Sequence, residues 1–264
     1  MVLLSEINYG MAIRDIFNKY KKIDIEFEEV YLKVLDTFKD ILVDGKKDNQ
    51  QDLPADIYDY LVKKIEPCGE YDFYIFYEII MARAQKQKLN KNGVFFTPYW
   101  VAKLMQSMVD YGSGLITEYY DPTCGLGNLL AVLPDTARKY GQELDPYTAG
   151  AAGEICKNSD IRVGNTLLED KFGEKQFDAI LANPPYNISK WYDKKEPIPP
   201  RISQFSNNAN YAFLQHIRYK LTPKGKAAIL FSSNIAENLT QDEEPILHTF
   251  LQDNIIDETV RKSL

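Results

Sequence analysis

The most specific chemical signal in the chain is Asn183-Pro184-Pro185-Tyr186, which follows the apolar run Phe177–Ala182. Two consecutive prolines fix φ and remove two N–H donors, so they hold the Asn183 amide and the neighbouring carbonyl in a rigid geometry at a strand end. Two acceptors side by side suit the N–H groups of an exocyclic amine, and Tyr186 offers a flat face on which a planar ring can stack. A second signal, Asp121-Pro122-Thr123-Cys124-Gly125-Leu126-Gly127-Asn128, closes another β-rich run, Ile116–Tyr120. Gly125 and Gly127 permit a tight turn and a close ligand approach, and the helix that follows would offer N–H groups to an anionic group. Alone, a Gly-x-Gly pair is weak. About 20 residues beyond it, however, Glu143 stands where an acid accepts hydrogen bonds from both hydroxyls of a ribose. Together these segments point to a nucleoside-containing cofactor.

Such residues need a scaffold that brings strand ends together. Runs at Ile116–Tyr120, Tyr140–Leu144, Ile161–Val163, Phe177–Ala182, Lys226–Phe231 and Ile255–Val260 read as strands. Helical stretches such as Pro146–Lys157, Ala209–Leu221 and Glu243–Gln252 separate most of them. This alternation predicts a parallel, doubly wound α/β sheet whose ligands bind beyond the carboxyl ends of the strands. Before residue 90 the pattern is different. Phe27, Val30, Tyr31, Val34, Leu35, Phe38, Ile41 and Leu42 recur at three and four, and helices with similar faces follow near 52–65 and 71–87. The chain is therefore read as a helical N-terminal domain, 1–90, and an α/β domain, 91–264.

Composition narrows the class. A chain of 264 residues allows just under two domains at about 150 residues each. With 45% hydrophobic and 26% charged residues it is neither disordered nor fibrous. Cys68, Cys124 and Cys156 form no CxxC pair and no disulfide framework, which suits a reducing, cytoplasmic setting. The start MVLLSEINYG lacks a signal-peptide pattern, and no apolar stretch is long enough for a membrane span. The net charge of −7 argues against a uniformly basic nucleic-acid binder. It hides the segment 190–226, however, where eight basic less two acidic residues leave +6. Trp191, Tyr192, Phe205 and Tyr211 are interleaved there, a mixture suited to phosphate contact and base stacking. Lys190, Trp191, Lys194, Lys195 and Arg201 are its candidate DNA contacts; a mobile solvated loop is the competing reading.

Asn-Pro-Pro-Tyr after the fourth strand, with the glycine turn after the first, resembles the S-adenosylmethionine-dependent amino-methyltransferases. More narrowly, the chain is similar to the modification subunit of type I restriction-modification systems, an N6-adenine DNA methyltransferase. Gly93-Val94-Phe95-Phe96-Thr97-Pro98 and the helix bearing Val101, Leu104 and Met105 resemble that family's entry motif. Asp121–Gly127 resembles its glycine motif, Gly141-Gln142-Glu143 with Pro146 and Thr148 its ribose segment, and Val163–Leu168 the segment beside the cofactor adenine. The likeness runs from about Asn92 to the C-terminus.

The resemblance implies a Rossmann-like class I methyltransferase core with S-adenosyl-L-methionine as cofactor. Phe96, Thr97 and Pro98 would lie near the methionine carboxylate. Asp121 and the turn with Thr123, Cys124, Gly125, Gly127 and Asn128 would hold the methionine moiety, and Glu143 the ribose. Asn165, with Thr166 beside it, would lie against the adenine edge, its amide oxygen accepting from the amine. Asn183 and the Pro184 carbonyl would accept from N6 of a flipped adenine, with Pro185 and Tyr186 completing the catalytic motif. Double-stranded DNA, a specificity subunit and a restriction subunit are the implied partners, and no metal is required.

Two departures are visible. Leu126 stands between the glycines and Asn128 follows, where small residues are usual. The seven-stranded sheet of this family also needs a strand beyond Ile255–Val260, so this chain is expected to stop one strand early, with that last strand displaced or poorly paired. Three alternatives remain open: a cofactor- or partner-binding truncated subunit without turnover, a protein glutamine methyltransferase, and an RNA adenine methyltransferase. His216 and His248 have no partner at metal-ligand spacing and read as satisfied or exposed histidines; Cys124 reads as a packing residue.

Overall fold

The computed structural model describes residues 97–193, 197–231, 235 and 239–252. The chain divides into two compact units, Met1–Tyr99 and Trp100–Leu264. The helices expected before residue 90, Phe96, Lys194, Lys195 and the candidate strand Ile255–Val260 lie outside the described residues.

Among the described residues of the second unit five strands form one parallel sheet: β1 Glu118–Asp121, β2 Arg138–Glu143, β3 Ser159–Val163, β4 Phe177–Ala182 and β5 Leu221–Ile229. Their order is β3-β2-β1-β4-β5. The direction of winding reverses between β1 and β4, and a crevice opens at the carboxyl ends of strands at such a point. In register, Tyr120 stands opposite Ile180 on one side and Tyr140 on the other. The elements between are α1 Tyr99–Asp110, α2 Asn128–Ala131, α3 Pro146–Ile155, α4 Ala209–Lys220 and α5 Glu244–Gln252.

Neighbouring residues of a strand face opposite sides of a sheet. Tyr119 sends its hydroxyl to Asp110 of α1, 2.8 Å away, whereas Tyr120 faces His216 of α4. Both faces are thus covered, which is why β4 (FDAILA) is apolar at every position but Asp178. Tyr120 stacks on Phe177 at 4.4 Å between centroids, and Phe172, Ile180, Ala182 and Ile217 complete that core. On the far side of α4, Tyr211 and Leu214 pack against Ile246, Leu247 and Phe250 of α5. In α1 the inward residues are Ala102, Met105 and Val109, and Leu104 is exposed.

The strand ends are set by local chemistry. Pro122 has no N–H and ends the β1 ladder after Asp121. Asp145 caps α3 by accepting from the Thr148 N–H at 2.8 Å, with Pro146 just inside the helix. Pro184 and Pro185 end β4. Strand β5 begins five residues earlier than its apolar run: Leu221 pairs with Phe177, then the chain bulges before Lys226 pairs with Ala179. Gly225 sits in that bulge, where a Cβ would lie 2.9 Å from the Phe177 carbonyl oxygen. Among the described residues no helix is long and apolar enough to cross a membrane.

Candidate active site

Three of the sequence-predicted segments leave the sheet at the expected edge. Asp121 ends β1, Glu143 ends β2, and Asn183 follows β4 immediately. Asn165 and Thr166 follow β3.

The loop after β1 is held by its own backbone. Thr123 N–H donates to the Asp121 carboxylate at 2.9 Å, Cys124 N–H to the Gln142 carbonyl at 3.0 Å, and Gly127 N–H to the Cys124 carbonyl at 2.8 Å. Gly125 (φ +54°) and Gly127 (φ +86°) are left-handed, a region costly for other residues. Their surroundings differ. A Cβ at Gly125 would meet open space, whereas one at Gly127 would run into the Cys156 thiol and approach Ala152 of α3. Leu126 is buried, so the bulk that departs from the family pattern points into the protein. Cys124 is buried too, and its thiol is pushed far above its usual range, mainly by burial; this fits a packing role. The helix expected to present N–H groups to an anion is a single turn of four residues, too short for an extended macrodipole.

Asp121 is 1% exposed, and its carboxyl is pushed up to about 8. Burial is the main cause; the Thr123 N–H opposes it and the Glu143 carboxylate adds to it. Beside it, the Thr123 hydroxyl is buried with no hydrogen-bond partner among the described residues. A buried carboxyl with no cation beside it among the described residues, and an orphaned hydroxyl, are what a ligand bearing a cationic, hydrogen-bonding head would complete. Glu143 spans the loops after β1 and β2, accepting from Gly125 N–H and Asp145 N–H, both at 3.0 Å. A carboxylate has about four acceptor positions, so two remain for hydroxyls.

Asn165 departs from expectation. Its amide oxygen accepts from Leu167 N–H (3.0 Å) and Leu168 N–H (3.3 Å). The oxygen expected to meet a cofactor amine thus closes its own turn, sharing the Leu168 N–H with the Asn165 carbonyl. Thr166 is buried, and its hydroxyl donates to the Pro122 carbonyl.

In the motif after β4, Tyr186 Oη donates to Asn183 Oδ1 at 2.6 Å, and Pro184 is buried. The tyrosine therefore fixes which way the amide points. Burial raises the Tyr186 phenol above its ordinary value and keeps it a donor.

The segment beyond is strapped down rather than loose. Ser189 and Asn208 form an antiparallel bridge, Asn187 and Asn210 exchange hydrogen bonds at 3.0 and 3.1 Å, and Lys190 N–H donates to Asn207. Of the candidate DNA contacts described, Lys190 is exposed with left-handed backbone. Trp191 is not a free stacking platform: its indole N–H donates to the Ser206 carbonyl at 2.9 Å, and its ring packs against Leu167, Ile202, Ala209, Ala212 and Phe213. Arg201 turns inward as well, onto the Thr166 and Leu167 carbonyls. The asparagines at 207, 208 and 210 were residues that sequence reasoning passed over, with the run Asn-Asn-Ala-Asn as their signal; His216, read as a satisfied or exposed histidine, is buried and hydrogen-bonded. Thr97, buried, and Pro98 belong to the first unit. Among the described residues no group of three or more His, Cys, Asp or Glu is placed to hold a metal.

Sheet order, strand-end loops and site position together define a Rossmann-like class I methyltransferase core, the fold that uses S-adenosyl-L-methionine. The profile of the N-6 DNA methylase family matches residues 70–262, and the chain belongs to that family. It is 28% identical to the type I restriction enzyme MjaIX methylase subunit of Methanocaldococcus jannaschii, over 80% of this chain and 42% of that protein. The HindI methylase subunit of Haemophilus influenzae is 27% identical over 69% of this chain and 44% of that protein. The crystal structure of the methyltransferase subunit of a type I restriction-modification system from Streptococcus thermophilus superposes with a TM-score of 0.60. It is 26% identical, over 75% of this chain and 47% of that one. The chain thus spans less than half the length of these relatives.

Proposed function

We propose that this chain is the catalytic portion of a DNA methyltransferase that methylates N6 of adenine within a type I restriction-modification system. The observation that carries the reading is Asn183, whose amide is oriented by Tyr186 at the end of β4, beside the Asp121 loop at the sheet's switch point. When bound, S-adenosyl-L-methionine supplies a methyl group on a sulfonium, an electrophile that an amine nitrogen takes by in-line displacement. The chain's residues bind and orient. The Asp121 carboxyl and Thr123 hydroxyl receive the amino-acid head, Glu143 receives the ribose hydroxyls, and the buried wall formed by Thr166 and Leu167 lines the cofactor-adenine side. Asn183 Oδ1 and the Pro184 carbonyl accept the two N–H bonds of the target amine. Their partial negative charge favours the positive charge that develops on nitrogen as it attacks. Tyr186 also stacks on the target base, which must leave the duplex to reach this depth.

The segment after the motif presents Lys190 to the phosphate backbone. Double-stranded DNA is the substrate, and a separate specificity subunit supplies sequence recognition. A restriction subunit completes the assembly.

Calorimetry with S-adenosylmethionine, then transfer of labelled methyl to duplex DNA with and without a specificity subunit, tests the reading. Asn183→Ala is expected to reduce transfer by roughly 10²–10³-fold, the usual loss for one preorganised electrostatic contact, with cofactor affinity unchanged. Transfer at the wild-type rate in that variant refutes the catalytic assignment. Transfer to RNA or to a glutamine peptide in preference to DNA refutes the substrate class.

A further inference from the structure

Arg201 is surrounded by partners that belong to different parts of the fold. Its Nε donates to His216 Nδ1 at 3.0 Å, and one Nη donates to the Thr166 carbonyl at 2.9 Å and the Leu167 carbonyl at 2.7 Å. Those carbonyls belong to the turn after β3, whose other side is closed by the Asn165 amide. From the same turn the Thr166 hydroxyl reaches Pro122 in the loop after β1. His216 is fully buried on α4, with Nε2 3.3 Å from the Tyr120 hydroxyl of β1. Because Nδ1 accepts from Arg201, the network assigns the proton of the neutral ring to Nε2, which donates to Tyr120. Burial, with the charges of Arg201 and Lys220 adding to it, holds the imidazole in that neutral form.

Arg201 is itself delivered rigidly. Pro197, Pro199 and Pro200 precede it, Ile202 N–H closes a turn onto the Pro199 carbonyl at 2.8 Å, and the Ile202 side chain is buried beside Leu167, Trp191 and Phe213. A planar guanidinium can span an imidazole and two carbonyls in one plane; an ammonium is a single point donor. Charge-assisted hydrogen bonds in a half-buried setting are among the stronger ones a protein makes.

We infer that Arg201 is a positioning residue that fastens the segment behind Asn-Pro-Pro-Tyr to the turn 165–168, so that one guanidinium sets both flanks of the methyl-transfer site. The inference rests on the proposed reading of the site. It assigns to an arginine of the basic segment a role in holding the site together instead of touching DNA. The two flanks then order together: a ligand that settles the turn 165–168 also settles residues 187–193 and 197–207.

Hydrogen exchange on the 264-residue chain tests this with and without S-adenosylmethionine. In the unliganded protein, Arg201→Ala is expected to speed exchange both at the amides of Leu167, Leu168 and Glu169 and at those of Asn187, Lys190 and Ala209. A change confined to one of the two segments, or to neither, overturns the inference. In the wild type the cofactor is expected to slow exchange in 187–193 and 197–207 as well as in 163–169; in Arg201→Ala the slowing is expected to stay within 121–128 and 163–169. Cofactor affinity is expected to fall by about tenfold, the loss of one charge-assisted hydrogen bond; unchanged affinity overturns the inference. Arg201→Lys keeps the charge and removes the fork, and serves if the alanine variant does not fold. Exchange raised in both segments supports the inference; full rescue by lysine overturns it. If the wild type does not bind S-adenosylmethionine at all, the proposed function fails, and the unliganded exchange alone decides the role of Arg201.

Discussion

Replacing Asp121 with asparagine removes a carboxyl that the fold holds in its neutral form. The native carboxyl titrates at about 8 because it is buried at the end of β1, where the Thr123 N–H supports its ionised form and Glu143 opposes it. In the unfolded chain the same group titrates near its ordinary 3.8. Between these values the native state binds more protons than the unfolded state, so stability falls as pH rises. The contribution is fully present below pH 3.8 and is lost by the time pH passes 8. Its slope is at most about 1.4 kcal/mol per pH unit, so between pH 5 and pH 7 the group costs up to about 3 kcal/mol. Asp121→Asn keeps an oxygen for the Thr123 N–H and does not titrate. The difference in unfolding free energy between variant and wild type is therefore expected to grow in favour of the variant across that window. Denaturant unfolding of both proteins at pH 5, 6, 7 and 8 measures it, and the subtraction cancels the titrating groups that do not interact with Asp121. Parallel pH dependences would refute the claim that Asp121 is held neutral by burial. The same carboxyl should turn against the variant when the cofactor is offered. A cationic head beside Asp121 favours the ionised form, so wild-type binding near pH 7 is expected to release close to one proton. Calorimetry in buffers of different ionisation enthalpy reads this release, and in Asp121→Asn it should vanish as affinity falls.

Other expectations concern neighbouring contacts. Gly127→Ala combines a left-handed φ with a collision at the Cys156 thiol; it is expected to destabilise by about 2–4 kcal/mol, and Cys156→Ala in the same chain should restore the steric part, as denaturation would show. Gly125→Ala meets open space and should cost only about 1–2 kcal/mol of backbone strain. Tyr186→Phe removes the hydroxyl that aims Asn183 and is expected to lower kcat for methyl transfer by about tenfold, one net hydrogen bond, while calorimetric cofactor affinity stays unchanged. Lys220, fully buried, is paired with Asp170 at 3.0 Å and with the Gly173 carbonyl. Asp170→Ala is expected to cost about 3–5 kcal/mol by stranding that charge, whereas Lys220→Met should cost much less; equal losses in thermal unfolding would contradict this.

Much of the site was legible in the chain because its parts are local. Proline at a strand end, glycine with φ above zero and an acid one strand further on each express a backbone requirement that residue type alone reveals. The alternation of strands and helices likewise announced a doubly wound sheet, and the family match at 70–262 agrees with it. Strand β5 was read five residues short because its start pairs through a bulge, which no hydrophobic period encodes.

What only the tertiary structure decided was where polar side chains spend their hydrogen bonds. By composition, Trp191 and Arg201 belong to a basic, aromatic segment that faces a polyanion. In the fold, residues 187–191 are strapped onto 206–210, which turns the indole inward, and the turn at Pro199–Ile202 delivers the guanidinium to the Thr166 and Leu167 carbonyls. Asn165 was placed correctly at the end of β3, yet its oxygen closes its own turn. Tyr186 was read as a stacking face, and its hydroxyl also orients Asn183. A sequence states which donors and acceptors exist and where along the chain they fall. Which of them meet depends on contacts between residues distant in sequence, and those are settled only when the sheet and its helices bury one another.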